Sequence, residues 1–333
     1  MIIWVAMTLS LLMDWQNTYA NTVNEVTILF NKGFIAGLYC SVATFFLFVL
    51  CRKESVAEEK NLEWGYHQYK SVVLIIGTVL LFITGLFEIG YQFEHYYPNA
   101  GIATLYTIAY FNLFILIIST QKTTLSQLEN YEQIKPYLYI VGIVFYLICL
   151  FSIYPIQAGL LVSRIHLMHF SIHWVSALII GIFLFKTVKL LRTISGIKDD
   201  DMNVFVWLAC GVIVLYLSVE INFLVNLVFY SKNNTLADVS RVYIKTGLPI
   251  LWGICSFVFM WFGMKFKYKK LRIISLTLFL ITLLKLFIFD LSNIPVAGKI
   301  AAFFCLGVLL LVVSFMYQRL KKIIIEDESK TIE

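Results

Sequence analysis

Apolar runs long enough to cross a lipid bilayer follow one another along this chain, separated by short polar stretches. A spanning helix needs about 20 mostly apolar residues, since a rise of 1.5 Å per residue must cover roughly 30 Å of hydrocarbon. Ten runs qualify, the weakest being the first, Ile2–Trp15. The others are Phe34–Cys51, Ser71–Tyr91, Ile102–Thr120, Tyr137–Ile156, Met168–Leu190, Val204–Phe223, Tyr243–Phe266, Leu271–Leu291 and Lys299–Tyr317. The pattern predicts an all-α fold, a polytopic transmembrane helix bundle of about ten spans. None of the connections is long enough for a separate soluble domain, so residues 1–333 read as a single integral membrane domain ending in a tail, 318–333.

Composition agrees: 60% of the 333 residues are hydrophobic, only 14% are charged, and the mean hydropathy is +0.83. Soluble domains carry roughly a quarter of their residues as charges. The net charge of +6 does not point to nucleic acid, because the basic residues sit in short clusters beside the apolar runs, as juxtamembrane anchors do. The lipid bilayer is the expected partner. Six cysteines lie in or beside apolar runs without CxxC spacing and read as packing residues. Met1–Met13 lacks a positive leading region and is interrupted by Asp14, so it reads as a first membrane helix and not as a signal peptide.

Orientation follows from Lys and Arg, which stay on the cytoplasmic side. Connections after even-numbered spans, together with the tail, hold nineteen of them, including the run Lys265, Lys267, Lys269, Lys270 and Arg272. Odd-numbered connections hold six: Lys32, Arg164, Lys232, Arg241, Lys245 and Lys299. Both termini are therefore expected in the cytoplasm. Two four-span blocks, 71–190 and 204–317, look faintly alike: Glu88 in Leu86–Ile89 parallels Glu220 in Ser218–Ile221, and Arg164 parallels Lys299. An even number of spans per block would make these parallel repeats.

With this topology the intramembrane polar residues gather toward the outer leaflet. Glu88 and Glu220 lie near the outer ends of the third and seventh spans, and Asp290 ends the ninth. Lys285 lies about 7.5 Å deeper than Asp290 at 1.5 Å per residue. A charge at a helix centre costs about 2.5 to 3.5 kcal/mol on insertion scales, so such residues pair, face a cavity or serve a mechanism. Lys285 and Asp290 are five residues apart, where side chains meet poorly. Lys285 is better placed for Glu88 or Glu220, and Asp290 for Lys299. The candidate polar site is thus Glu88, Glu220, Lys285, Asp290 and Lys299, with Arg164, His169 and His173 at the same level.

His169 and His173 stand at i and i+4, a spacing that lets two imidazoles approach one metal. No companion Cys or carboxylate accompanies them, so no metal site is expected. No nucleophile elbow, P-loop, GxGxxG or HExxH is present, and no cofactor is expected. Tyr91, Phe93, Tyr96, Tyr97 and Trp174 read first as an interfacial aromatic belt. With Gln92, Glu94 and His95 among them, a sugar-stacking or lipid-binding platform is the alternative reading.

The segments Leu271-Arg272-Ile273, Leu284–Leu291 with Lys285 and Asp290, Lys299-Ile300, Phe304–Gly307 and Tyr317-Gln318-Arg319 resemble the C-terminal end of a large bacterial membrane-protein family, catalogued as domain of unknown function 2339. Lys299 stands where that family's pattern has Arg. Leu217–Glu220 is similar to its upstream Glu-bearing segment. The resemblance covers the last third, implies a bacterial inner-membrane location, and marks Glu220, Lys285, Asp290 and Lys299. It supplies no substrate. Three function classes stay open: binding or transport of an envelope-related small molecule or lipid-linked intermediate, a periplasmic-face transferase, and a scaffold subunit without a pocket.

Overall fold

The computed structural model describes residues 2–20, 26–57, 65–98, 101–121, 131–163, 166–191, 199–231 and 234–286, with isolated positions between 296 and 314. Among them the fold is helical without a β-strand, as the apolar runs predict; in lipid a helix satisfies every backbone group within its own segment. Two compact units divide the chain, Met1–Leu191 and Arg192–Glu333.

The first unit holds α1 (Ile2–Trp15), prolonged by a π-helical turn, Gln16–Ala20, and then α2 (Lys32–Ala57), α3 (Gly65–Tyr96), α4 (Ile102–Thr120), α5 (Tyr131–Ser163) and α6 (Ser171–Leu191). A short 3₁₀ turn, Leu167–Phe170, leads into α6. The second unit holds α7 (Asp199–Phe229), α8 (Leu236–Val242), a π turn (Tyr243–Gly247), α9 (Leu248–Lys265) and α10 (Lys269–Lys285).

Seven helical stretches among the described residues are long and apolar enough to cross a membrane, and the second to eighth expected spans fall on them. The first expected span is α1, only 14 residues long. The ninth is α10, described as far as Lys285 with one further turn residue, and the tenth falls largely outside the described residues. Helix α3 corrects one boundary. The stretch Gln92–Gly101 reads from sequence as a loop, but α3 runs on to Tyr96, because a helix keeps its hydrogen bonds after its apolar run has ended.

The helices bury an apolar core but differ from a soluble domain in their outer surface and in the polar groups between them. Large apolar side chains such as Phe151, Leu178 and Phe185 point outward, while Ser41, Thr44, Thr84 and Asn112 are buried between helices. Lipid tails offer helices no hydrophobic reason to associate, so close approach and interhelical hydrogen bonds hold them together. Helix α2 meets α3 where Gly37 lies against Thr84, so closely that an added Cβ would collide with the threonine hydroxyl. Trp4 Nε1 donates to Thr44 Oγ1 at 2.9 Å, tying α1 to α2. In the second unit Ser256 Oγ donates to the Ser275 carbonyl at 2.8 Å and Ser275 Oγ returns a bond to the Ser256 carbonyl at 2.7 Å, clasping α9 to α10.

Candidate functional site

Glu88 is the most completely surrounded of the expected site residues. It lies on α3 with 3% of its surface exposed, and its two carboxylate oxygens accept four hydrogen bonds. Oε1 accepts from the Leu29 N–H at 2.8 Å and from Gln92 Nε2 at 3.0 Å. Oε2 accepts from the Tyr19 hydroxyl and from Asn31 Nδ2, each at 2.7 Å. A buried carboxylate demands this, since removing it from water without partners is prohibitive and charge-assisted hydrogen bonds are the strong ones.

Each donor is placed by local rules. Gln92 follows Glu88 at i+4 on α3, on the same helical face. Asn31 is the residue before α2, and its Oδ1 accepts the Phe34 N–H at 2.8 Å, the N-cap bond that a helix start calls for. That bond fixes the amide's orientation and turns Nδ2 toward Glu88. Leu29 presents its N–H from a left-handed conformation, φ 62°, which a leucine adopts only at a cost of about 1 to 2 kcal/mol. Tyr19 comes from the π turn after α1. Burial first, then the neighbouring carboxylate, raise the pKa of its phenol and keep it a donor. Glu88 thus pins the end of α1, the 26–31 segment and the start of α2 onto α3.

Tyr19 also forms part of the wall of a cleft of about 820 Å³ between α1 and α3. Its body is apolar, lined by Leu12, Trp15, Ile83, Leu86 and Phe87, with Gly90 in its floor. Gln16 lines it beside Trp15, and Glu94 and His95 line it further along α3. From Ile83 to His95 the cleft follows α3 for about 18 Å at 1.5 Å per residue. Trp15 packs edge-on to Phe87 at 5.2 Å, and Tyr91 stacks on His95 at 6.0 Å.

The two histidines expected on one helical face point to different neighbours. His169 sits in the 3₁₀ turn, whose three residues per turn break the α-helical register with His173. Its Nδ1 lies 3.0 Å from the Tyr106 hydroxyl, and its ring packs on Tyr97. His173 is buried on α6 between Tyr146 and Phe170. Among the described residues no three metal-ligating side chains converge. Beside this cluster lies a second cavity of about 580 Å³, between the α3–α4 turn and the end of α5, with Tyr97, Gly159, Ser163 and His166 in its lining.

In the second unit, Glu220 is buried on α7. Near it, Ser218 binds the helices that follow: its carbonyl accepts from the Tyr243 hydroxyl at 2.8 Å and its Oγ from Trp252 Nε1 at 2.9 Å. Lys285, at the end of α10, donates through Nζ to the Ile244 carbonyl at 2.8 Å. The local backbone explains that bond. In the π turn the Leu248 N–H goes to the Tyr243 carbonyl, so the next donor in that register would be residue 249. Residue 249 is proline, which has no N–H, and Lys285 supplies the proton instead.

Glu88 belongs to the first unit and Glu220 and Lys285 to the second. Asp290, Lys299 and Arg164 lie outside the described residues.

The family model described as Predicted membrane protein (DUF2339) matches residues 1–320. The chain belongs to this family. The match reaches far upstream of the last third that carries the resemblance in sequence, so the α1–α3 region around Glu88 lies within the DUF2339 match as well. No curated protein and no solved structure matches the chain.

Within this DUF2339 chain, sequence reasoning finds Glu88 but misses Tyr19 and Asn31 and places Gln92 on an aromatic platform and not on Glu88; these three complete its surroundings. Two of them carried a local signal. Gln92 stands at i+4 from Glu88, and Asn31 directly precedes an apolar helical run as an N-cap does. Tyr19 had none, because its approach depends on how α1 packs.

Proposed function

We propose that this protein is a bacterial inner-membrane protein with about ten spans and cytoplasmic termini, whose α1–α3 cleft binds an amphipathic, lipid-like envelope molecule from the outer leaflet. The observation that carries the reading is the cleft's grading along α3, from an apolar body around Leu12, Ile83 and Phe87 to a polar end at Glu94 and His95. A molecule with an acyl body and a polar head matches it. The excess of Lys and Arg in alternate connections supports the orientation that turns the polar end outward. In this reading Glu88 does not touch the ligand. It holds Tyr19, and so the cleft wall, in place.

The second reading is a scaffold, favoured by the four donors that already occupy the Glu88 carboxylate. One variant separates the two. A Cβ added at Gly90 meets no atom within 4 Å, so Gly90→Leu starts a side chain into open space at the cleft. It also removes a glycine from the interior of α3, which favours the helix by about 1 kcal/mol. Native mass spectrometry of protein released from inner-membrane nanodiscs should show a retained lipid on the wild type and its loss from an equally stable Gly90→Leu. Equal lipid retention by both proteins, or none by either, favours the scaffold.

A further inference from the structure

We infer that the α1–α3 cleft selects a lipid whose head ends in a primary ammonium group, the chemistry of an ethanolamine head. This rests on that cleft being a lipid site, and it names what holds the head. Five rings of the cleft wall follow one another in contact. Trp15 meets Phe87 with ring centroids 5.2 Å apart, Phe87 meets Tyr19 at 5.9 Å, Tyr19 meets Tyr91 at 5.7 Å, and Tyr91 stacks on His95 at 6.0 Å.

Helical spacing puts an acid at the end of this row. Phe87, Gly90, Tyr91, Glu94 and His95 stand at i, i+3, i+4, i+7 and i+8 of α3, so they form one stripe along the helix, and all of them line the cleft. Glu88 and Gln92 fall outside that spacing and are engaged with each other at 3.0 Å. Gly90 stands between Phe87 and Glu94, and a Cβ there would meet no atom within 4 Å. The stripe is therefore open where a ligand passes from the rings to the carboxylate. Glu94 itself is exposed.

The sign of the charges selects the head. Faces of Tyr and Trp rings carry negative partial charge and attract a cation within about 6 Å. The Glu94 carboxylate attracts the same sign. Rings and carboxylate together favour an ammonium group and disfavour a lone phosphate, so a purely anionic head such as that of phosphatidylglycerol gains nothing from them. A primary ammonium has N–H groups to donate to Glu94 in charge-assisted hydrogen bonds, whereas a choline head has none. Lys32, at the start of α2, is already paired with Asp14 at 2.8 Å. Residues 21–25, Asn-Thr-Val-Asn-Glu, lie outside the described residues, and their sequence adds a further acid and no Lys or Arg.

The experiment is native mass spectrometry of the full chain released from nanodiscs that hold equal amounts of phosphatidylethanolamine, phosphatidylglycerol and phosphatidylcholine with the same acyl chains. The wild type should retain phosphatidylethanolamine over each of the others by about threefold or more, the size expected of a solvent-exposed charge interaction. Glu94→Gln, an exposed substitution expected to fold, should retain as much lipid in total but without the preference. Gly90→Leu should lose the lipid. Three results overturn the ammonium head and leave the cleft's lipid standing, provided that Gly90→Leu still loses it: equal retention of the three lipids by the wild type, a preference for phosphatidylglycerol or phosphatidylcholine, or a preference that survives in Glu94→Gln. Equal retention by the wild type and Gly90→Leu, or none by either, overturns both.

Discussion

Replacing Glu88 by alanine should lower the thermal midpoint of the purified protein by on the order of 10 °C, equivalent to about 3 to 5 kcal/mol, as expected when several buried donors lose one shared acceptor. The magnitude follows from what is stranded. Tyr19, the Leu29 N–H, Asn31 and Gln92 all direct donors at one carboxylate, and each buried donor left without an acceptor costs about 1 to 3 kcal/mol. Water entering through the neighbouring cleft recovers part of that. Glu88→Gln should fall between, because its carbonyl keeps one acceptor while its NH₂ group faces donors. Hydrogen exchange should locate the damage: the 26–31 segment and the start of α2 should exchange faster in both variants, and α5 should not. A midpoint unmoved by Glu88→Ala would show that the four hydrogen bonds stabilise nothing.

The second large effect belongs to Lys285. Lys285→Met should cost about 1.5 to 3 kcal/mol, the usual worth of a hydrogen bond from a charged donor. The reason assigned to that bond makes a sharper test. Pro249 lacks the N–H that the π turn directs at the Ile244 carbonyl, and Lys285 replaces it. Pro249→Ala restores a backbone donor there, so Lys285→Met should be milder in that background. A double-mutant cycle by chemical denaturation in mixed micelles should give a coupling of about 1 kcal/mol or more. Strict additivity would mean that proline and lysine are unrelated and that Lys285 serves another group.

These two residues mark where the sequence was legible and where it was not. Apolar run length identifies helices well, because lipid admits few other structures; even the short α1 ends at Trp15, where the apolar run gives way to Gln16. The same logic singles out Glu88, Glu220 and Lys285 as polar residues that need a reason. It does not supply their partners. Sequence looks for a charge to balance a charge, whereas Glu88 is satisfied by neutral groups, two of them from a loop and a turn, and one bond of Lys285 goes to a backbone carbonyl displaced by one extra residue in a helical turn, which no search for opposite charges would find. A π turn followed by proline leaves no mark in hydropathy. The separation of His169 from His173 has a similar origin, since i+4 spacing brings side chains together only if the intervening turn is α-helical, and here it begins as 3₁₀.

The cleft and the cavity were less legible still. Their walls come from helix ends and from glycines, Gly90 and Gly159, at which nothing packs closely. In sequence such glycines are indistinguishable from Gly37, which is there to let two helices touch.

The central claim is that the α1–α3 cleft selects a particular amphipathic molecule and is not merely wetted by bulk lipid. The most direct measurement places the photo-crosslinking residue benzoylphenylalanine at Phe87, which lines the cleft, and separately at Phe185, which lies on an exposed apolar face of α6. After irradiation in native membranes, mass spectrometry of the adducts should show one enriched lipid species at position 87 and the bulk membrane mixture at position 185. The same mixture at both positions would contradict the claim.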